Sequence, residues 1–130
     1  MKSNPILTTA SLLSIVLFIC HLADDIFRGF EKGGLSNLTV VPILVLWLYA
    51  TLVLSGRRVG QAIVFLFSFL ASGIPVIHMM GRGVGVASRS ATFSGHFFFV
   101  WTLLALGVTG AFSAVLAAQE LWFRPRGEGR

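Results

Sequence analysis

The amino-acid sequence predicts an all-α integral membrane protein, a bundle of four transmembrane helices with both termini on the same side of the membrane. Of its 130 residues, 55% are hydrophobic and only 12% are charged, a balance that a soluble domain of this size could not bury in one core. Four apolar segments, at residues 6–23, 38–55, 59–80 and 93–123, approach or exceed the roughly 20 residues that a helix needs to cross a bilayer. A single four-helix domain would therefore use the whole chain, residues 1–130.

The basic residues predict the orientation of this bundle. The formal charge is +5, which in a membrane protein reflects topology and contact with anionic lipid rather than nucleic-acid binding. With four crossings, six basic residues share one side: Lys2, Arg57, Arg58, Arg124, Arg126 and Arg130. Four share the other side: Arg28, Lys32, Arg82 and Arg89. The excess of basic residues predicts that both termini are cytoplasmic. We expect a multi-pass protein of a bacterial inner membrane. Its expected partners are lipids, other membrane subunits or further copies of the chain.

The first segment begins after Pro5, a residue suited to the first turn of a helix. Beyond residue 23 the sequence becomes amphipathic, so we expect the helix to extend to about residue 30. At about 100° per residue, four ionisable side chains fall within about 60° of one direction. They are His21, Asp24, Asp25 and Arg28. The extension therefore has one polar face and one apolar face.

The second and third segments are joined by the basic turn "GRR". In the second, Trp47 and Tyr49 lie at mid-depth, away from the interfacial aromatic belts, and we expect both to pack inside the bundle. In the third, Gly73 and Pro75 predict a kink near one end of the helix. The Gly-rich stretch "GRGVGVASRSATFSG" then predicts an outer loop.

The fourth segment is the longest. Six of its side chains fall within about 40° of one direction and form a stripe rich in small residues, which lets membrane helices approach closely. They are His96, Val100, Leu103, Gly107, Gly110 and Ala114. This pattern predicts that His96 points into the bundle. Trp122 and Phe123, followed by "RPR", are typical of an aromatic belt with a basic anchor.

The topology brings all three histidines of the chain to one face of the membrane. Odd-numbered helices end where even-numbered helices begin, so His21, His78 and His96 lie on the same side whichever way the bundle is inserted. The depth agrees, since His21 lies about 24 Å and His78 about 28 Å from the start of its segment. Asp24 and Asp25 lie one turn from His21. The sequence therefore predicts an outward-facing His/Asp cluster.

Imidazoles and a carboxylate suit a divalent transition metal, and zinc is the expected ion. We assign His21, His78 and His96 as ligands, with Asp25 as the fourth ligand or as the group that orients a histidine. Asp24 would be the partner of Asp25 or, beside a metal-bound water, the catalytic general base of a metal-dependent membrane hydrolase. A nearby anionic group would be bound by three arginines: Arg28, Arg82 and Arg89.

Three other interpretations remain open. Histidines on apolar helices with Phe-rich walls such as "HFFFVW" can ligate haem or chlorophyll, which would make the chain an accessory subunit of a respiratory or photosynthetic complex. Protonation of His21 beside two aspartates could instead gate a proton or cation path, although no charged residue lies at mid-depth. Each histidine taken alone could also be an amphipathic anchor among lipid headgroups.

Overall fold

A computed structural model describes residues 4–29, 31, 33–80 and 96–123, and at Ser36, Met79, Met80 and His96 it describes the backbone alone. The described residues form a 3-10 helix and four α-helices, with no strand among them, which confirms the all-α prediction for this part of the chain. The α-helices are α1 (Pro5–Phe27), α2 (Val40–Leu52), α3 (Arg58–Met80) and α4 (His96–Phe123), and the 3-10 helix, Leu35–Thr39, precedes α2.

Three of the helices are long and apolar enough to cross a membrane. These are Pro5–Phe27, Arg58–His78 and Phe97–Phe123, with mean hydropathies of 2.2, 1.9 and 1.9. The second predicted span, 38–55, contains only the 13 α-helical residues of α2. At 1.5 Å per residue α2 rises about 20 Å, short of the ~30 Å hydrocarbon core, so a fourth crossing stays a prediction.

The first helix ends earlier than the extension to about residue 30 that the sequence suggested. Asn4 caps its start, because the side-chain oxygen accepts hydrogen bonds from the backbone N–H groups of Ile6 and Leu7 at 3.0 and 3.3 Å. Phe27 is its last residue. The chain leaves the helix at Gly29, whose φ of +74° belongs to the left-handed region that glycine adopts at helix ends.

The second helix ends where the chain turns sharply into the third. The backbone N–H groups of Val53 and Leu54 both donate to the Tyr49 carbonyl, at 2.8 and 3.2 Å, which stops the regular helical ladder. The backbone of Gly60 then packs directly on Leu54, where any side chain at residue 60 would overlap the Leu54 carbonyl. The glycine thus permits the close return of the chain into α3.

Helices α3 and α4 pack antiparallel along the small-residue stripe of α4. A Cβ atom at Gly107 would lie 2.6 Å from the ring of Pro75, and one at Gly110 would lie 2.9 Å from the Ser68 carbonyl. A hydrogen bond of 2.9 Å joins Ser68 Oγ to Ser113 Oγ in the same interface. The predicted close approach along this stripe is confirmed at these positions.

The two aromatic residues of α2 have different environments. Trp47 is buried, and its Nε1–H donates to Ser11 Oγ at 3.0 Å, as expected for an indole inside the bundle. The same expectation is wrong for Tyr49, which is 48% exposed on the outer surface. Residues two apart on a helix point about 200° away from each other, so the two side chains cannot share one face.

Candidate metal centre

The candidate centre lies at the end of the bundle where α1 and α3 finish and α4 begins. His21 and Asp25 are one turn apart on the buried face of α1, and His78 belongs to the last turn of α3. Phe99, in the first turn of α4, lies beside both imidazoles, with ring centroids 5.3 Å from His21 and 6.1 Å from His78. Two helices, α1 and α3, therefore supply the three residues that we call the His/Asp site, His21, Asp25 and His78, and α4 packs Phe99 against it.

The donor atoms of the His/Asp site converge on one point. Asp25 Oδ2 lies 3.4 Å from Nε2 of His21 and 3.4 Å from Nε2 of His78. One ligand atom from each of the three residues lies within 4.8 Å of the others. Ligands about 2.1 Å from a tetrahedral zinc ion are separated by about 3.4 Å, the separation seen here between the carboxylate and each imidazole.

A backbone contact fixes the tautomer of His78. Its Nδ1 lies 3.0 Å from the Ile74 carbonyl oxygen, which can only accept a hydrogen bond, so Nδ1 carries the proton. In the neutral imidazole, Nε2 then presents a lone pair to the carboxylate of Asp25. Two electron-rich atoms face each other unless a proton or a cation lies between them. The contact with Ile74 is also the kind of outer bond that orients a metal-ligating histidine.

Burial makes the unpaired atoms of this site costly. His21 is 2% exposed and Asp25 is 5% exposed. Among the described residues, His21 Nδ1, His21 Nε2 and Asp25 Oδ1 are buried without a hydrogen-bond partner. A buried polar atom left without a partner costs roughly 1–3 kcal/mol, and more when it carries charge. A bound cation would give His21 Nε2 the partner that it lacks, and a carboxylate that binds the cation through both oxygens would also engage Asp25 Oδ1.

Asp24 points to a different partner from Asp25. Its Oδ2 accepts a hydrogen bond from Arg28 Nε at 2.7 Å, in an ion pair whose side chains are 12% and 4% exposed. The Arg28 guanidinium also lies 5.3 Å from the centroid of the Phe99 ring, in cation–π geometry. The helical wheel placed both aspartates near His21, but only Asp25, at i+4, is brought to it. The catalytic role of Asp24 and the anion-binding role of Arg28 stay predictions.

Three predicted site residues cannot be placed in the site. The backbone of His96 forms the first residue of α4, at the same end of the bundle as His21 and His78. Its side chain lies outside the described residues, as do Arg82 and Arg89. Their assignments, His96 as a ligand and the arginines as anion-binding groups, stay predictions.

Sequence reasoning missed Phe99, whose side chain is only 1% exposed. It lies one turn after His96 on α4, and this i+3 spacing was the available signal.

Comparisons with protein families, with curated proteins and with solved structures gave no match for the chain. The geometry of the His/Asp site is therefore the basis for its interpretation.

Proposed function

We propose that this chain is a polytopic membrane protein that binds one divalent transition metal ion, zinc in the first instance, through His21, Asp25 and His78. The observation that carries the proposal is the convergence of three donor groups within 4.8 Å: His21 and Asp25, which are buried on α1, and His78, which is partly buried on α3. Ionisable groups inside a bundle of apolar helices are costly, and such groups most often serve a function. The outward-facing placement of the site rests on the predicted topology.

The distribution of polar and apolar surface supports the membrane part of the proposal. Large apolar side chains cover the outside of the bundle, including Phe97 at 80%, Val108 at 70% and Ile77 at 68% exposed. Hydroxyl groups lie inside instead, with Ser11, Ser14, Ser68 and Ser113 fully buried. Soluble proteins rarely expose apolar surface on this scale, whereas a lipid environment favours it.

The ligand set favours a metal with an open coordination position. Two imidazoles and one carboxylate resemble the three protein ligands of catalytic zinc sites, in which water or substrate takes the fourth position, and the same set suits non-haem iron(II). A water bound there would be acidified by the ion, which is the chemistry of a metal-dependent hydrolase. His96 is the proposed alternative for the fourth position, and Asp24 is the proposed base.

The geometry favours an ion over a tetrapyrrole. The imidazole rings of His21 and His78 are in edge-to-face contact, with centroids 4.9 Å apart. A macrocycle ligated by both rings would have to lie between them, where Asp25 already contacts each Nε2 at 3.4 Å. The alternative of an accessory subunit that carries haem or chlorophyll therefore has less support than a metal centre.

A matched pair of variants tests the proposal. Zinc would be titrated into chelator-treated, detergent-solubilised protein, with binding followed by calorimetry and by elemental analysis after desalting. The wild type is expected to retain one zinc per chain, and Asp25→Asn, His21→Ala and His78→Ala are expected to lose it. Asp24→Asn, which changes the adjacent carboxylate, is expected to bind zinc like the wild type. Equal binding by the wild type and Asp25→Asn would contradict the proposal.

A further inference from the structure

Two exposed tryptophans on α4 mark the level of the membrane around the bundle. Trp101 and Trp122 both lie on the outer surface of the helix. At 1.5 Å per residue, they are separated by about 32 Å along its axis. The hydrocarbon core of a bilayer is ~30 Å thick, and tryptophan is enriched at both of its boundaries. In the proposed membrane-spanning arrangement, the two tryptophans therefore lie at the two boundaries of the hydrocarbon core.

The His/Asp site lies at the boundary that Trp101 marks. Phe99, which packs against both imidazoles, is about 3 Å farther along α4 from the middle of the core than Trp101. Helix α1 gives a similar level, since His21 is about 26 Å from Asn4 along the helix, and Asn4 Nδ2 donates a hydrogen bond to Glu120 near the other boundary. The interfacial layer outside the core is roughly 5–8 Å thick. The site is therefore at the depth of the lipid ester groups and headgroups.

The surface at this depth has the mixed character of an interfacial layer. Phe27 and Phe97, both farther from the middle of the bundle than the site, are exposed, and the Phe97 ring stacks on Trp101 with centroids 6.3 Å apart. Glu31, whose backbone N–H donates to the Asp25 carbonyl at 3.3 Å, is exposed as well. Water favours burial of the phenylalanines, and hydrocarbon excludes the carboxylate. Both are accommodated where acyl chains meet headgroups.

The site opens sideways, toward lipid. His78 is the most exposed of its three side chains, at 15% against 3% for His21 and 7% for Asp25. Ile77, next to His78 on α3, is one of the large apolar residues on the outer surface. A ligand that reaches the His78 side of the site therefore approaches across a surface that faces the bilayer.

We infer that the substrate of the His/Asp site is a membrane amphiphile with an acyl ester, which enters from the bilayer past His78. The metal must bind first, so this inference rests on the proposed function. The ester carbonyls of membrane lipids lie where the acyl chains meet the headgroups, which is the depth of the site. A soluble ester has no such preference for this depth.

The reaction that the site would support is hydrolysis of the ester. The oxygen of a water molecule forms a bond to the acyl carbon, and the bond between the acyl carbon and the alkoxy oxygen breaks. One proton of the water goes to the alkoxy oxygen, and the acid that forms releases the other proton. The products are a fatty acid anion, an alcohol and a proton.

Fluorescence of Trp101 tests the depth without any metal. A variant with Trp47→Phe and Trp122→Phe keeps Trp101 as its single tryptophan. It would be reconstituted in phosphatidylcholine brominated at a shallow or at a deep position of the acyl chains. Bromine quenches only nearby tryptophan, so the shallow bromines are expected to quench Trp101 more strongly. Stronger quenching by the deep bromines, or no quenching by either, would overturn the inference.

Binding of hydroxamates to cobalt-loaded protein tests the substrate class. A hydroxamate binds a metal through its carbonyl oxygen, as an ester would, and cobalt(II) in place of zinc reports ligand binding by its visible absorption. Two amphiphiles with the same acyl chain would be compared in phospholipid nanodiscs. The first carries the hydroxamate directly on the chain, and the second carries it beyond a long polyethylene glycol linker that holds it in water. The first is expected to bind at least about tenfold more tightly.

The two ways of failing are distinguishable. A protein that takes up no cobalt would refute the proposed function, and the inference with it. A protein that takes up cobalt but binds both amphiphiles equally would refute the inference alone, because its metal would then be reached from water.

Ile77→Trp and Val108→Trp form a matched pair that tests the path of entry. Both add a bulky apolar side chain to the lipid-facing surface, but only Ile77 is next to His78. Ile77→Trp is expected to weaken binding of the first amphiphile several-fold and to leave the cobalt spectrum of the ligand-free protein unchanged. Val108→Trp is expected to change neither. Binding by Ile77→Trp as tight as that of the wild type would contradict entry past His78.

Discussion

Substituting Asp25 and Asp24 one at a time should separate metal binding from stability. Asp25 is 5% exposed, its Oδ1 has no partner among the described residues, and its Oδ2 faces two imidazole nitrogens at 3.4 Å. Asp24 lies next to it in sequence but forms a 2.7 Å ion pair with Arg28. The same chemical change, carboxylate to amide, therefore removes a metal ligand at one position and a buried ion pair at the other.

Asp25→Asn should cause the larger loss of metal affinity, and Asp24→Asn should cause the larger loss of stability in the absence of metal. Loss of a group that only supports a ligand costs 10- to 100-fold in metal affinity, so loss of the Asp25 ligand should cost at least about 100-fold, or about 2.7 kcal/mol. Without metal, Asp25→Asn removes an incompletely paired buried carboxylate and should leave stability unchanged or raise it by about 1–3 kcal/mol. Asp24→Asn removes the 2.7 Å ion pair with Arg28, and breaking a buried pair typically costs about 3–5 kcal/mol.

Denaturant or thermal unfolding with and without zinc measures both effects on the same samples. The wild type should gain stability with zinc, Asp25→Asn should gain none, and Asp24→Asn should start lower and gain as much as the wild type. A metal-free Asp25→Asn protein that is several kcal/mol less stable than the wild type would contradict this prediction, because the carboxylate would then be well satisfied without a metal.

Three further results are expected. Gly107→Val should destabilise the protein by about 1–3 kcal/mol, seen as a lower melting temperature, because its side chain would overlap the Pro75 ring; equal stability would contradict the close α3–α4 contact. Trp47→Phe should lower the free energy of unfolding by about 1 kcal/mol, because the hydrogen bond to Ser11 is lost. Tyr49→Phe, at an exposed position, should change it little in the same melting assay. A larger loss of stability for Tyr49→Phe than for Trp47→Phe would contradict the buried position of Trp47 and the exposed position of Tyr49. Zinc retained at neutral pH should be released as the pH falls and the imidazoles become protonated, and elemental analysis after dialysis at each pH would show it; retention in acid would argue against histidine ligands.

The sequence was sufficient to predict the helices and the end of the bundle at which the histidines lie. Apolar segments of span length mark α1, α3 and α4, and the alternation of chain direction brings His21 and His78 together without any knowledge of packing. The i+4 relation between His21 and Asp25 is likewise readable from helix geometry. These parts depend on periodicity and length, which are local properties.

The remaining features depend on contacts between helices. Asp24 and Asp25 differ by one 100° step, and only the position of α3 decides that Asp25 meets His78. The contact of Asp24 with Arg28 is itself an i, i+4 pair and follows from helix geometry alone. Gln61 gave no signal in the sequence, because a glutamine in the first turn of a helix is ordinarily solvated. In the folded protein its side chain is only 1% exposed. The early end of α1 depends on a single backbone conformation, at Gly29.

The most direct test of the metal centre is X-ray absorption spectroscopy at the zinc edge on protein loaded with one equivalent of zinc. We expect the zinc ion to be coordinated by two imidazole nitrogens at about 2.0–2.1 Å and by at least one oxygen at about 2.0–2.2 Å, and we expect weaker imidazole scattering in His78→Ala. Coordination by oxygens alone would contradict the proposed metal centre, as would a sulfur ligand, supplied by Cys20, at about 2.3 Å from the zinc ion.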